Sequence, residues 1–253
     1  MTTELPFKRY AIIVAGGVGS RMNSSIPKQF LKLDGKPILM HTISKFSENF
    51  PDIEIIVALP SEQISYWKQL CEEYQYTVKM TVIEGGESRF HSVKNCLATI
   101  KEDGVIAVHD AARPLVSSKT IATAFKAAEM YGNAVPAIPL NDSIRQIDST
   151  LSIAVDRSKY CIIQTPQCFK TEIIKKAYQK DYKYTFTDDA TVVESSGEKI
   201  HLIDGYSDNI KITTPRDLII AEALLKNKPV TSLPNKLKLS DDLNILNQKE
   251  ELK

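Results

Sequence analysis

Short apolar runs rich in β-branched residues alternate with amphipathic stretches of helical length along about the first 140 residues. The apolar runs predict strands, and they lie at Tyr10–Val14, Ile53–Leu59, Met80–Ile83, Val105–His109 and Ala134–Leu140. The amphipathic stretches predict helices, at Ile38–Ser47, Glu62–Tyr74, Arg89–Lys101 and Ser117–Tyr131. This alternation predicts an α/β fold in which helices cover both faces of a mostly parallel sheet.

The pattern changes between residues 141 and 167, where it predicts a projecting β-hairpin arm. Two short alternating runs, Ser143–Ile147 and Ser152–Val155, are separated by the polar segment Asp148-Ser149-Thr150. The alternation of helices and strands resumes after the arm, at Thr171–Gln179, Ala190–Ser195, Ile200–Ile203 and Pro215–Leu225. The arm is therefore predicted to be an insertion into one domain, residues 1–228, and not a domain boundary.

Residues 229–253 are predicted to be a C-terminal appendage to this domain. They contain two prolines and scattered charge, and their apolar residues form only one weak helical face, at Leu239, Leu243 and Leu246. The pattern assigns no function to this segment.

Charge and composition narrow the classes of partner. The 32 basic and 31 acidic residues give a formal net charge of +1, so no global field attracts nucleic acid or an anionic membrane. The start of the sequence lacks a long apolar segment, and no apolar run approaches the roughly 20 residues that span a bilayer. The four cysteines form no CxxC pair, which favours reduced thiols. We expect a cytoplasmic protein that binds neither nucleic acid nor membranes.

Candidate chemistry begins directly after the first predicted strand, in the segment Ala15-Gly16-Gly17-Val18-Gly19-Ser20-Arg21-Met22. Ligands of open α/β sheets bind at such carboxyl ends of strands, and glycines let backbone N–H groups approach a phosphate closely. The segment is not a dinucleotide fingerprint, which needs glycine where Met22 stands, and the spacing of a P-loop fails as well. Instead, Arg21 and Lys28 add two cations, an arrangement that suits a triphosphate attacked at its α-phosphorus.

A carboxylate is expected at the same edge of the sheet. Asp110 ends a strand that is predicted to lie beside the first one, so its side chain can hold the Mg²⁺ that bridges nucleotide phosphates. The neighbouring His109 should point to the opposite face if the strand keeps its alternation. We therefore assign His109 to packing and not to catalysis.

The loop AGGxGxRM followed by PKQF resembles the nucleotidyltransferase superfamily that activates sugars and alditols, which implies its Rossmann-like nucleotide-diphospho-sugar transferase fold. Further segments are similar, in the same order, to the 2-C-methyl-D-erythritol 4-phosphate cytidylyltransferases of the non-mevalonate isoprenoid pathway. These segments are Gly85–Val93, Val108–Pro114, Val155–Arg157, Gln164–Gln167, Thr187–Ala190 and Asp208–Thr213. The resemblance covers about residues 8–226. It implies transfer of CMP from CTP to that polyol phosphate, with Mg²⁺ as cofactor and release of pyrophosphate.

The resemblance also implies roles for individual residues. Catalytic cations are implied at Arg21, Lys28 and Lys211. Nucleotide contacts are implied at Ala15, Gly16, Gly17, Gly86, Glu87, Ser92 and Ala111. Contacts to the acceptor phosphate are implied at Arg113, Ser143, Arg157 and Thr165, and metal contacts at Asp110 and Asp208. Because Arg157 and Thr165 belong to the arm and its return strand, the resemblance further implies a homodimer in which the arm of one subunit reaches the acceptor site of the other.

Three alternatives to this function remain open from the sequence. Ala15-Gly16 stands where many methylerythritol enzymes have two alanines, and ribitol 5-phosphate cytidylyltransferases share the Ala-Gly pattern. The loop alone therefore does not fix which alditol phosphate is the acceptor. A glycosyltransferase of similar architecture would hold its metal with an Asp-x-Asp pair, and the chain contains none. A non-catalytic nucleotide-binding protein would not need Arg21 and Lys28, and both are present.

Overall fold

A computed structural model describes residues 7–17, 22, 24 and 26–227 of the chain. The strands in this part are β1 (Lys8–Val14), β2 (Lys32–Leu33), β3 (Lys36–Pro37), β4 (Glu54–Leu59), β5 (Thr81–Glu84), β6 (Gly104–Asp110), β7 (Asn133–Pro139), β8 (Arg145–Asp148), β9 (Leu151–Ala154), β10 (Cys161–Ile163), β11 (Gln167–Lys170) and β12 (Leu202–Asp204). The helices are α1 (Ile38–Asn49), α2 (Ser61–Glu73), α3 (Arg89–Thr99), α4 (Ser118–Tyr131), α5 (Thr171–Ala177), α6 (Asp189–Glu194) and α7 (Pro215–Lys226). Short 3₁₀ turns lie at Lys28–Phe30 and Arg157–Lys159.

The main sheet confirms the predicted α/β, Rossmann-like fold. Its strands run in the order β10-β7-β11-β6-β1-β4-β5, with β12 beside β7. β1 pairs in parallel with β4 and β6, and β4 pairs in parallel with β5. The register places Val14 beside both Ala58 and Asp110, so three strands end at one edge of the sheet. The sheet is mixed, because β11 runs antiparallel to β6 and β7, and β10 runs antiparallel to β7.

Alternate residues of the central strands enter two separate cores, one on each face of the sheet. Ala11 and Ile13 pack with the buried faces of α1, α2 and α4. Tyr10 and Ile12 pack with α3, α5 and α6 on the opposite face. Strands covered on both faces read as continuous apolar runs, and this is the pattern that predicted them. A third, smaller cluster joins Ala221 of α7 to residues around β2 and α1.

The projecting arm is formed by β8 and β9, which pair only with each other as an antiparallel hairpin within the described residues. Its apolar side chains are widely exposed, with Ile147 at 79%, Leu151 at 73% and Ile153 at 64%. The structure narrows the insertion that the sequence placed at about 141–167. Residues 161–163 form β10, which pairs with β7. They therefore belong to the main sheet and not to the arm.

The helices and strands predicted from the patterns are present, with ends that differ by at most two residues. The short strands β2, β3, β10 and β11 were not predicted. Among the described helices, none combines the length and the apolarity that crossing a membrane requires. The appendage predicted at 229–253 lies outside the described residues.

Candidate active site

A cavity of about 280 Å³ opens at the carboxyl edge of the sheet, where β1 and β6 end. Parallel strands end together at this edge, so residues far apart in sequence meet there. The cavity brings together most of the described residues that the sequence singled out, which are Ala15, Gly16, Gly17, Lys28, Gly86, Glu87, Ser92, Asp110, Ala111 and Lys211. It is also lined by residues that were not assigned to the site, which are Val14, Gln29, Ser88, Arg89 and Ala112.

The glycine loop lies directly against the lysine of the PKQF segment. A Cβ at Gly17 would stand 3.4 Å from Cε and 3.8 Å from Nζ of Lys28, so the lysine side chain lies over the loop at ordinary contact distance. Gln29 holds the loop from below, because its Nε2 donates to the carbonyl oxygen of Ala15 at 2.7 Å. Arg21, the other predicted catalytic cation, lies outside the described residues.

The second loop of the cavity, which contains Gly86, is fixed by Ser92 of α3. The Ser92 hydroxyl donates to the carbonyl oxygen of Ser88 at 3.0 Å and accepts from the N–H of Gly86 at 3.0 Å. A hydroxyl has one donor and two acceptor positions, so Ser92 keeps one acceptor position for a ligand. The loop passes so close to α3 that a Cβ at Gly86 would lie 2.4 Å from Cβ of His91, which only glycine tolerates.

Asp110 lies at the centre of a cluster of cations. Its Oδ2 is 2.8 Å from Nζ of Lys211 and 3.8 Å from Nε of Arg113, and its Oδ1 accepts from Nε of Arg89 at 3.4 Å. Burial alone would raise the pKa of Asp110, but Arg89, Lys211 and Arg113 together hold it well below its usual value. The N–H of Ile212 donates to the carbonyl oxygen of Ala112 at 2.8 Å, which ties the segment of Lys211 to this loop. The site therefore contains an ionised carboxylate among three cations.

His109 is fully buried and packs edge-on against Phe46, as the alternation of the strand predicted. Its Nε2 lies 3.1 Å from the carbonyl oxygen of Arg113 and its Nδ1 lies 3.0 Å from the Thr165 hydroxyl. A carbonyl can only accept, so Nε2 carries the proton and Nδ1 accepts from Thr165. The Thr165 oxygen in turn accepts from the N–H of Asp110 at 3.2 Å. This neutral histidine therefore helps to fix the loop that carries both Asp110 and Arg113.

Arg89 has a second carboxylate partner, which the sequence did not reveal. Its Nη2 donates to Oδ2 of Asp189 at 2.6 Å, and the Tyr178 hydroxyl donates to Oδ1 of the same residue at 2.7 Å. Asp189 is fully buried. The sequence does contain a signal for this contact. Of the acidic pair Asp188-Asp189 before an apolar helix, only one carboxylate can cap the helix. Asp188 makes that cap, so Asp189 is left for another partner.

The residues predicted to bind the acceptor lie outside the cavity lining. Arg113 stands behind Asp110 and donates to the carbonyl oxygen of Asn209 at 2.6 Å, and Thr165 is buried in the His109 network. Ser143 is exposed beside the base of the arm, and Arg157 is exposed after the arm, with its guanidinium bonded to the carbonyl oxygen of Asn141. Within one chain, the arm residues are not brought together with the cavity.

The predicted metal ligands are separated in the same way. Asp110 lines the cavity, whereas the half-buried Asp208 does not. No group of three or more His, Cys, Asp or Glu side chains in the described ranges is placed to hold a metal ion. Asp110 keeps unused carboxylate lone pairs beside its three cations, so its chemistry fits one protein oxygen ligand of a Mg²⁺ ion that draws its other ligands from phosphates and water.

Comparison with known proteins identifies the family. The family model described as IspD, 2-C-methyl-D-erythritol 4-phosphate cytidylyltransferase, matches residues 10–227. A 2-C-methyl-D-erythritol 4-phosphate cytidylyltransferase from Bacteroides thetaiotaomicron is 46% identical over 218 residues, which are 86% of this chain and 100% of the relative. The crystal structure of the Francisella tularensis enzyme of the same name is 32% identical with a TM-score of 0.72, over 85% of this chain and 99% of that one.

A longer protein contains a similar fold as one of its parts. The structure of the bifunctional IspDF from Campylobacter jejuni is 31% identical with a TM-score of 0.71, over 84% of this chain and 53% of that one. The family match covers all the residues that line the cavity. The chain therefore belongs to the 2-C-methyl-D-erythritol 4-phosphate cytidylyltransferase (IspD) family.

Proposed function

We propose that this protein transfers CMP from CTP to 2-C-methyl-D-erythritol 4-phosphate, releasing pyrophosphate, as a step of non-mevalonate isoprenoid biosynthesis. One observation carries the proposal. A single cavity gathers the glycine loop, Lys28, the Gly86 loop, Asp110 and Lys211, so that loops able to hold a nucleotide meet fixed cations. The names of the relatives at up to 49% identity support the same pair of substrates.

The reaction is a direct displacement at phosphorus. A phosphate oxygen of the acceptor attacks the α-phosphorus of CTP and forms the new P–O bond, while the bond from the α-phosphorus to the bridging oxygen breaks and pyrophosphate leaves in line. A phosphate monoester has a second pKa of about 6, so near neutral pH the nucleophile is already an anion and needs no general base. The protein has to align two anions and offset their charge in the transition state.

The cations of the cavity are suited to that task. Lys28 lies over the glycine loop, where a triphosphate would be held by backbone N–H groups, and Lys211 lies on the other side beside Asp110. Arg21 is included in the proposal as a third cation from its place in the sequence, although it lies outside the described residues. Fixed charges of this kind stabilise the transition state without reorganising during the reaction.

Mg²⁺ is proposed as the cofactor, with Asp110 as its protein ligand. When bound, the ion would offset negative charge on the phosphate oxygens of the nucleotide. Asp208 is proposed as a second contact only through its motif, because it does not line the cavity. The residues of the chain contribute an ionised carboxylate, Asp110, whose orientation is fixed by Arg89, Arg113 and Lys211.

A homodimer built through the arm is the proposed assembly. The exposed apolar side chains of β8 and β9 support it, since an isolated two-stranded hairpin is marginal in water. In such a dimer Ser143 and Arg157 of one subunit would help to bind the acceptor phosphate at the cavity of the other. Arg113 and Thr165 are included only through their motifs, because they do not line the cavity. The proposal also includes a cytoplasmic location, where CTP is available, and no nucleic-acid partner.

The test is a pyrophosphate-release assay with purified protein and Mg²⁺. CTP should react with 2-C-methyl-D-erythritol 4-phosphate, and UTP, ATP and ribitol 5-phosphate should give at least tenfold lower kcat/KM. Lys28→Ala should abolish most of the turnover, whereas Lys36→Ala removes the same charge from an exposed position on β3 and should leave it unchanged. If turnover were faster with ribitol 5-phosphate than with 2-C-methyl-D-erythritol 4-phosphate, ribitol 5-phosphate would be the acceptor. If no alditol phosphate were turned over, the proposed function would be refuted.

A further inference from the structure

Arg89 lies between two carboxylates that come from different elements. Its Nε donates to Asp110 at 3.4 Å and its Nη2 donates to Asp189 at 2.6 Å. The side chain of Arg89 lines the cavity with 27% of its surface exposed. It therefore adjoins the proposed nucleotide site on one side and the buried carboxylate of Asp189 on the other. An arginine guanidinium is not deprotonated in proteins, and here it lies against two carboxylates. The guanidinium therefore keeps its charge.

Asp189 makes its contacts to other side chains without reaching solvent. It is fully buried, and its second oxygen accepts from the Tyr178 hydroxyl at 2.7 Å. Burial and the nearby carboxylate raise the pKa of Tyr178 well above its usual value, so this phenol stays a donor. Tyr178 is itself held by stacking on Phe90, with ring centroids 4.7 Å apart. A residue placed in this way cannot touch a substrate, and it can act only through Arg89.

The start of α6 is tied to the same strands that carry the cavity. Gln167 of β11 donates through Nε2 to Asp188 at 2.8 Å and accepts through Oε1 from the N–H of Ala190 at 2.8 Å. These two contacts hold the residues on either side of Asp189. β11 pairs directly with β6, the strand that ends at Asp110. Both carboxylates that hold Arg89 are thus attached to one rigid frame.

The physical chemistry of the pair explains why Arg89 stays in place. A fully buried carboxylate that loses its cation is strongly unfavourable, so Arg89 cannot leave Asp189 when a ligand arrives. The guanidinium is planar, with five N–H donors in a rigid fork, so fixing one edge also fixes the direction of the others. A lysine at this position would provide a single point charge and could not bridge two carboxylates in the same way.

We propose that Asp189 and Tyr178 are positioning residues for Arg89, and that Arg89 held in this way is a fixed cation for the phosphates of the bound nucleotide. The inference rests on the proposed function in taking that nucleotide to be CTP. The contact belongs to the nucleotide and not to the acceptor, because Arg89 lines the cavity beside Ser88 and Ser92. The reaction thus uses a cation whose place is set by residues that never meet a substrate.

Two variants test the position of the guanidinium separately from its charge. Asp189→Asn removes the buried negative charge that holds Arg89. Arg89→Lys keeps the positive charge but removes the planar guanidinium with its several N–H donors. Each should lower kcat/KM for CTP at least tenfold and raise the dissociation constant for CTP at least threefold by calorimetry, while KM for the acceptor changes less than threefold. The double variant should be no worse than the poorer single variant, because both changes remove one positioned group.

A matched pair of milder variants keeps the test independent of folding defects. Tyr178→Phe and Thr171→Val each delete one buried hydroxyl hydrogen bond, but that of Thr171 runs to the carbonyl oxygen of Gly104 at the far end of β6. Tyr178→Phe should weaken CTP binding, and Thr171→Val should leave it within twofold of the wild type.

Several outcomes would overturn the inference. Tighter CTP binding by Asp189→Asn would mean that Asp189 only dampens the charge of Arg89. Full activity of Arg89→Lys, or equal CTP affinities of Tyr178→Phe and Thr171→Val, would mean that the position of the guanidinium is not used. If the wild type bound CTP but released no pyrophosphate with methylerythritol phosphate, the proposed function would fail, and the CTP affinities of the same variants would still decide this inference.

Discussion

Acidification should destabilise the protein through His109. This imidazole is fully buried, and burial is the main reason that its pKa is lowered from 6.5 to about 4. A histidine in the unfolded chain titrates at about 6.5. Between these two values the unfolded state binds a proton that the native state does not bind. The contribution of His109 is therefore fully present above the unfolded pKa and is lost as the pH falls toward the folded one.

The magnitude is large compared with the stability of a typical domain. The linkage relation gives a loss of about 2 kcal/mol between pH 7 and pH 5 from this one group, against a total of about 5–15 kcal/mol. Protonation would place a second N–H on Nδ1, opposite the Thr165 hydroxyl that now donates to it. The hydroxyl hydrogen of Thr165 would then lose its acceptor, Nδ1 of His109, whereas the Thr165 oxygen would still accept from the N–H of Asp110.

The assay is equilibrium unfolding in urea at pH 7, 6 and 5, with the free energy of unfolding compared between the wild type and His109→Gln. The variant will be less stable at every pH, so the measured quantity is the pH dependence and not the stability itself. The wild type should lose about 2 kcal/mol more than the variant between pH 7 and pH 5. His41→Gln is the matched control, because burial also lowers the pKa of His41 but His41 lies away from the cavity, bonded to Leu33.

Parallel pH profiles for the wild type and His109→Gln would refute this reasoning. They would mean that His109 titrates in the folded protein as it does in the unfolded chain, and that the assigned tautomer with a bare Nδ1 is wrong. A change of slope in His41→Gln alone would place the acid sensitivity in α1 and not in the loop of Asp110.

Four further predictions concern the reaction and the arm. Arg21→Ala and Lys28→Ala should each lower turnover by about 10² to 10³ while the protein stays folded, and rates within threefold of the wild type for both would remove them from the mechanism. Asp110→Asn should lose Mg²⁺-dependent activity and still unfold cooperatively, which an unchanged Mg²⁺ requirement at full rate would contradict. Arg157→Ala should raise KM for the acceptor far more than KM for CTP, since it removes a charged contact to one substrate only. Deletion of residues 144–155 should give monomers of little activity in sedimentation, and a wild type that is a fully active monomer would exclude a shared site.

The fold was predictable because its central strands are buried on both faces. A strand such as β6, which is apolar along most of its length, differs from an amphipathic helix in its period, and the alternation of the two already implies parallel crossovers. The antiparallel β11 was not predictable in this way. Its four residues come soon after β10, and only their pairing with β6 and β7 across the sheet reveals them as a strand.

The residues that line the cavity were predictable because loops after strands carry recognisable local patterns. The glycines and Lys28 lie close together in sequence, so their spacing indicates an anion site, and Asp110 stands at the end of a strand predicted to lie beside the first one. The residues that hold these groups in place have partners much farther along the chain. Arg89 and Asp189 are 100 residues apart, and His109 and Thr165 are 56 apart.

Such long-range partners leave a weaker trace in the sequence, but they do leave one. A polar residue at an inward-facing position of an apolar run must find a hydrogen-bond partner, because a buried polar group without one is costly. His109 is such a polar residue inside the apolar strand β6. Its assignment to packing accounted for its burial, but not for the hydrogen-bond partners that its two ring nitrogens need. The same rule applies to Asp189, since a carboxylate next to a helix cap needs a cation once the helix is packed. The cation that it finds is Arg89, so the position of a charge in the cavity depends on a residue whose own sequence context indicates only the start of a helix.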